Sequence, residues 1–225
     1  LIACAQTGTG KTAAYLLPIL NKICEDPKDR VDTIILVPTR ELALQIDQQI
    51  MGLGYFTGAT SISVYGGGDG AGYEQQKRAI REGVHIIVAT PGRLISHMSS
   101  GKFDFSQLKH LVLDEADTML DMGFHDDIMR IISYLPTKRQ SLLFSATMPT
   151  KIRALAKKIL HDPQEINIAI SKPSAGIDQH AYMTYDDQKG QLIRHILSNE
   201  EYASVIVFAS KKDIVKTLAR DLAKS

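Results

Sequence analysis

Short apolar runs alternate with amphipathic stretches along this 225-residue chain, and that rhythm limits its fold more than any other feature. Residues 1–5, 33–37, 61–65, 85–89, 110–113, 141–144 and 205–208 read as strands. Most are nearly continuous Val, Ile and Leu, the composition of strands covered on both faces. Between them, residues 13–23, 41–51, 73–81 and 150–160 carry helical periodicity. The alternation predicts a doubly wound α/β fold with a mainly parallel sheet and helices on both faces. Pro18 falls inside the first helical stretch and is expected to kink it or end it early.

Near Asp162-Pro163 the pattern loosens, and residues 171–176 (Ser-Lys-Pro-Ser-Ala-Gly) read as a linker. The expected organisation is a domain over residues 1–170, the linker over 171–176, and the beginning of a second α/β domain over 177–225. In that second part, residues 180–184 and 205–208 are strand candidates, and residues 188–197 and 211–224 helix candidates. A piece of this size cannot bury both faces of its own sheet. It is therefore expected either to pack on another copy of the chain or to be largely disordered. The chain opens on Leu1 without an initiator Met or a signal peptide, so it reads as a piece of a longer protein.

Composition narrows the function classes. No apolar run is long enough to span a membrane. A net charge of +1 means that a polyanion would have to be bound by a local surface rather than a global field. The two cysteines, Cys4 and Cys24, lack metal spacing and are too few for a disulfide framework, which points to a reducing cytoplasm and to inert core thiols. His85, His97, His110, His125 and His161 show no metal spacing and read mostly as surface or capping residues.

In open α/β sheets, ligands bind beyond the carboxyl ends of the strands, where the polar clusters of this chain fall. Ala5-Gln6-Thr7-Gly8-Thr9-Gly10-Lys11-Thr12 lies between the first strand and the first helix. It fits the phosphate-loop pattern except that Ala5 stands where the general motif has Gly. Glycines let consecutive N–H groups wrap a phosphate, and the helix N-terminus adds its positive dipole end. Lys11 would reach the β- and γ-phosphates, and the Thr12 hydroxyl would ligate Mg²⁺. A second cluster follows the strand 110–113, where Asp114-Glu115-Ala116-Asp117 begins. An acid there can hold the Mg²⁺ that bridges the phosphates, and the adjacent Glu can polarise a water.

At this point the chain resembles a known family. Asp114-Glu115-Ala116-Asp117 spells the box of the DEAD-box RNA helicases, and Met119-Leu120-Asp121-Met122-Gly123-Phe124 continues in the family's manner. So do residues 5–12, Pro38-Thr39-Arg40-Glu41-Leu42-Ala43, Gly66-Gly67, Thr90-Pro91-Gly92-Arg93 and Ser145-Ala146-Thr147, in the family's order. Val205-Ile206-Val207-Phe208 resembles the opening motif of the family's second domain. The resemblance implies a RecA-like P-loop NTPase domain that binds ATP and Mg²⁺ and unwinds RNA duplexes. It implies nucleotide chemistry at Ala5, Gln6, Thr7, Gly8, Thr9, Gly10, Lys11, Thr12, Asp114 and Glu115. Asp117, Ser145 and Thr147 would couple the acidic box to the state of the RNA. Pro38, Thr39, Arg40, Gly66, Gly67, Thr90, Gly92 and Arg93 would contact its backbone. Such contacts read shape and 2′-OH, so sequence specificity should be low.

By itself, Thr90-Pro91-Gly92-Arg93 reads as a turn with a solvated arginine. The family's adenine-reading segment would precede Leu1, and the arginines of its second domain would follow Ser225. An arginine finger is worth about 10³–10⁵ in rate, so this piece alone is expected to hydrolyse ATP barely or not at all. Two rivals share part of the pattern. An NTPase outside RNA work would use Lys11 and Asp114 but gives no reason for Thr90–Arg93 or Ser145–Thr147. A non-catalytic RNA clamp gives no reason for an intact Lys11, Thr12, Asp114 and Glu115.

Overall fold

The computed structural model describes residues 1–6, 8–67, 70–100, 103–168, 177–198 and 202–223. The chain falls into two compact units, Leu1–Ser171 and Lys172–Ser225. In the first, strands β1 (Ile2–Cys4), β2 (Thr33–Leu36), β3 (Ser61–Val64), β4 (Ile86–Ala89), β5 (His110–Leu113), β6 (Gln140–Ser145) and β7 (Glu165–Asn167) form one sheet in the order β3-β4-β2-β5-β6-β1-β7. Every pairing is parallel.

Helices α1 (Lys11–Glu25), α2 (Arg40–Leu53), α3 (Gly70–Glu82), α4 (Pro91–Ser100), α5 (Ala116–Asp121), α6 (His125–Ser133) and α7 (Thr150–Ile159) fill the connections. Successive strand residues point to opposite faces, and the core follows. Ile34 and Leu36 of β2 join an apolar cluster with Ile80, Leu94, Met119, Ile128 and Ile152, from α3 to α7. Ile35 and Val37 join the other cluster, with Tyr15, Leu16 and Ile19 of α1 and Ile46 and Ile50 of α2. A central strand buried on both faces favours apolar side chains, which is why residues 34–36, 86–89 and 111–113 read as hydrophobic runs, although Thr33 and His110 at the strand starts are buried polar residues.

Three expectations are corrected here. Helix α1 does not end early: it continues past Pro18 to a length of 15 residues, with Pro18 on its exposed side and only one backbone donor lost. Cys24 is exposed although Cys4 is buried. His85, His97 and His110 are buried, each with a polar partner: Thr60, Gln76 and Asp32 respectively.

In the second unit the described residues contain helices α8 (Lys189–Ser198) and α9 (Lys212–Leu222), and the expected strands at 180–184 and 205–208 are absent. A β-strand exists only with a ladder partner, and apolar composition alone does not provide one. Ile206 and Phe208 are 81% and 91% exposed, which leaves that run open rather than sandwiched. The linker read over 171–176 lies outside the described residues. No helix among the described residues is long and apolar enough to cross a membrane.

Candidate nucleotide and nucleic-acid sites

The loop after β1 turns through two glycines that only glycine suits. Gly8 and Gly10 have φ of +83° and +85°, and a Cβ on either would meet nothing within 4 Å. They border open space. Gly10 also caps α1 without a side-chain hydrogen bond, and no acid stands in that helix's first turn. The orphan N–H groups of the first turn and the positive dipole end are thus left for an anion. Thr9 Oγ1 donates to the Gln6 carbonyl at 2.8 Å, and Lys11 Nζ folds back to donate to the Ala5 carbonyl at 2.6 Å. Thr7 lies outside the described residues.

Past β5, Asp114 is almost fully buried. Its Oδ2 accepts from the Tyr15 hydroxyl at 2.9 Å and its Oδ1 from the Glu115 N–H at 2.9 Å. Glu115 adopts the left-handed conformation at φ 50°, ψ 50°, which is uncommon for a side-chain-bearing residue and costs energy that the surrounding structure must supply. Burial raises the Asp114 pKa, against the pull of Tyr15, the Glu115 amide and Lys11. Burial and then the charge of Asp114 raise that of Glu115. Gly8, Gly10, Lys11, Thr12, Asp114 and Glu115 line one cleft of about 500 Å³, walled on the other side by Leu42, Gln45, Gln49 and Leu53 of α2.

Asp117, the second residue of α5, faces the turn after β6. Its Oδ2 accepts from the Thr147 N–H at 2.9 Å and the Thr147 hydroxyl at 2.8 Å. Burial would raise the Asp117 pKa, but the Thr147 bonds first, and the nearby Ser145 hydroxyl, hold it below the ordinary value. Ser145 in turn donates to the Thr147 carbonyl at 2.7 Å, and its own carbonyl accepts the Ala5 N–H at 3.0 Å. The acidic box, the turn after β6 and the phosphate loop are therefore joined by direct hydrogen bonds.

The remaining residues singled out in the sequence gather around β2, β3 and β4. Arg40 and Arg93 line a groove of about 470 Å³ with Tyr65, Gly72 and Gln76. Arg40 lies over the Tyr65 ring at 4.7 Å and Arg93 over the Tyr73 ring at 4.6 Å. Gly66, Gly67 and Gly92 are exposed. Pro38 is buried, and Thr39 Oγ1 caps α2 by accepting from the Leu42 N–H at 3.3 Å, so this pair builds the corner that presents Arg40. Thr90-Pro91-Gly92-Arg93 is no plain turn: Pro91 opens α4, where its missing N–H costs nothing.

Three residues around these sites escaped the sequence reading, Tyr15, Tyr73 and Gln76, and a fourth, His97, was read there as a surface or capping residue. Tyr15 hid in the apolar stripe of α1. Tyr73 with Gln76, and Arg93 with His97, stand three and four positions apart, the spacing that puts side chains on one helix face. That spacing was the available signal. Gln76 Oε1 accepts from Arg93 Nε at 3.2 Å and lies 3.0 Å from His97 Nε2. An amide oxygen only accepts, so Nε2 carries the ring proton.

The His97 ring stacks on Tyr73 at 4.1 Å. Burial first, then the charges of Arg93 and Lys77, lower its pKa to about 4, with Glu74 opposing. Below pH 6.5 the unfolded chain takes up a proton that the folded chain refuses until about pH 4. Stability is therefore lost as pH falls through that window, by on the order of 2–3 kcal/mol, and no further below it. Urea unfolding across pH 4–6.5 should show the slope, and H97Q should flatten it relative to the unsubstituted chain. Parallel slopes for the two would contradict the assignment.

A parallel sheet wound on both faces, with a glycine loop and an acidic strand end facing one cleft, defines a P-loop NTPase fold. The comparison with known proteins goes further. A model of the DEAD/DEAH box helicase family matches residues 1–155, and the chain belongs to that family. It is 38% identical over 228 aligned residues to ATP-dependent RNA helicase DeaD of Haemophilus influenzae, covering 98% of this chain and 36% of that protein. It is 41% identical over 224 residues to DEAD-box ATP-dependent RNA helicase RhpA of Helicobacter pylori, covering 99% and 44%. A crystal structure of a DEAD box protein from the hyperthermophile Methanococcus jannaschii superimposes with a TM-score of 0.69 at 34% identity, covering 99% of this chain and 59% of that one. The chain thus spans less than half the length of these two curated relatives.

Proposed function

We propose that this chain is the ATP-binding part of an ATP-dependent RNA helicase, with ATP hydrolysis coupled to RNA binding and duplex unwinding. The observation that carries the reading is the meeting of Lys11, Thr12, Asp114 and Glu115 in one cleft, although the two pairs are about a hundred residues apart in sequence. The cleft fits a magnesium-bound triphosphate. It offers an uncapped helix N-terminus, glycines bordering open space, one ammonium and a buried carboxylate with spare lone pairs.

In this reading the N–H groups from Gly8 to Lys11 and the Lys11 ammonium hold the phosphate oxygens. Thr12 and Asp114 hold Mg²⁺, which when bound neutralises charge on the phosphates. Glu115 accepts the proton of the attacking water, and its raised pKa brings it nearer the range a general base needs. Asp117, Ser145 and Thr147 relay between this cleft and the rest of the sheet edge. Arg40 and Arg93, with Gly66, Gly67, Thr90 and Gly92 nearby, contact the RNA backbone. Pro38 and Thr39 act through the corner that carries Arg40.

Turnover of the full-length protein stimulated by single-stranded RNA, and not by DNA of the same sequence, tests the reading against an NTPase outside RNA work. Equal stimulation by both would favour that rival. R93A is expected to weaken RNA binding by roughly ten- to a hundredfold, the worth of a charged hydrogen bond. The loss should be similar across sequences, and the salt dependence should fall by about one charge. A loss confined to some sequences would assign Arg93 to base recognition. Two cysteines, too few for a disulfide framework, are consistent with a cytoplasmic setting. Exposed Ile206 and Phe208 support self-association through the second unit. A constant monomer mass in sedimentation at rising concentration would dismiss that association.

A further inference from the structure

We infer that the Tyr15 hydroxyl is a positioning group for the Asp114 carboxylate and sets how tightly the cleft holds a divalent cation. The inference rests on the reading of that cleft as a magnesium–nucleotide site.

Helix α1 places Tyr15 three residues after Thr12 and four after Lys11, on the face those two share. The residue is buried in an apolar stripe with Leu16, Ile19, Leu20 and Ile23, and its ring packs against Phe144 at 5.1 Å. That packing needs only a ring. A phenol there would cost free energy unless its hydroxyl were paired, and the partner it finds is Asp114 Oδ2, 2.9 Å away.

The terminal torsion of an Asp carboxylate is soft, with broad wells. Here a donor holds each oxygen: the Tyr15 hydroxyl on Oδ2 and the Glu115 N–H on Oδ1. The two bonds fix the carboxylate plane and leave each oxygen a lone pair for a ligand. Without the hydroxyl, the plane is anchored by the backbone bond alone, and the carboxylate must be ordered when the cation binds. Groups that orient a metal ligand in this way are typically worth about 10–100-fold in metal affinity.

Tyr15→Phe keeps the ring against Phe144 and removes only the hydroxyl. The measurement is binding of a fluorescent, non-hydrolysable ATP analogue at a series of free Mg²⁺ concentrations, with an EDTA baseline. Y15F should need roughly tenfold more Mg²⁺ for half-maximal binding. Its Mg²⁺-free binding should stay within about twofold, and its melting temperature within a few degrees, because the ring packing is unchanged. Superimposable Mg²⁺ curves for Y15F and the unsubstituted chain would overturn the inference. So would unfolding of Y15F, which would make the hydroxyl a structural group. If the unsubstituted chain itself showed no Mg²⁺-dependent binding, the nucleotide reading would fall and this inference with it.

Discussion

K11A loses ATP affinity by roughly ten- to a hundredfold while its fold survives. The size follows from the bond removed: an ammonium on a phosphate oxygen is a charge-assisted hydrogen bond worth about 1.5–3 kcal/mol. The fold survives because Lys11 is only part-buried and, among the described residues, its ammonium bonds the Ala5 carbonyl. The neighbouring N–H groups remain, so weak binding persists rather than vanishing. Titration calorimetry with a non-hydrolysable ATP analogue and Mg²⁺ reads the effect directly. Unchanged affinity in K11A would mean that the glycine loop is a helix cap and that the nucleotide binds elsewhere.

E115Q shows the opposite pattern, with binding kept and turnover lost. Gln has nearly the shape of Glu but cannot accept a proton, and general-base catalysis is worth about 10²–10⁴ in rate. In the full-length protein, steady-state hydrolysis should fall by that factor while ATP affinity stays within about twofold. Glu115 meets the requirements for this role in three respects. It lines the cleft, its backbone is held in a conformation that side chains rarely adopt, and burial and Asp114 raise its pKa. Turnover equal to that of the unsubstituted protein would assign the water to another group. A proportional loss of binding and turnover would place Glu115 on the nucleotide rather than on the water.

The parts of the fold legible in the sequence were those set by two-sided burial. Ile34, Ile35 and Leu36 all vanish from solvent, so β2 shows as an unbroken apolar run, and β4 and β5 do likewise. The edge strand β7, Glu165–Asn167, carries no such run because it is exposed along its length, and it escaped notice. Val205–Phe208 shows the converse error. Its composition matches β4, yet a strand is completed by its neighbour, and composition cannot say whether a neighbour is there. Helix α4 was hidden because Pro91 and Gly92 read as turn residues, although proline is well suited to a first helical turn.

The candidate site divides in the same way. Gly8, Gly10, Lys11 and Asp114 announce themselves because their chemistry depends on local spacing. Tyr15 does not, because its function depends on a contact with a residue 99 positions away. The Gln76 link between Arg93 and His97 is equally tertiary: α3 supplies the amide and α4 both of its partners.

The most direct measurement is a crystal structure of the chain with Mn²⁺ and a non-hydrolysable ATP analogue, the ion located by its anomalous scattering. The account predicts one Mn²⁺ beside Thr12 and Asp114, with Lys11 on the same triphosphate. An ion or triphosphate outside the cleft shared by Lys11 and Asp114 would contradict it.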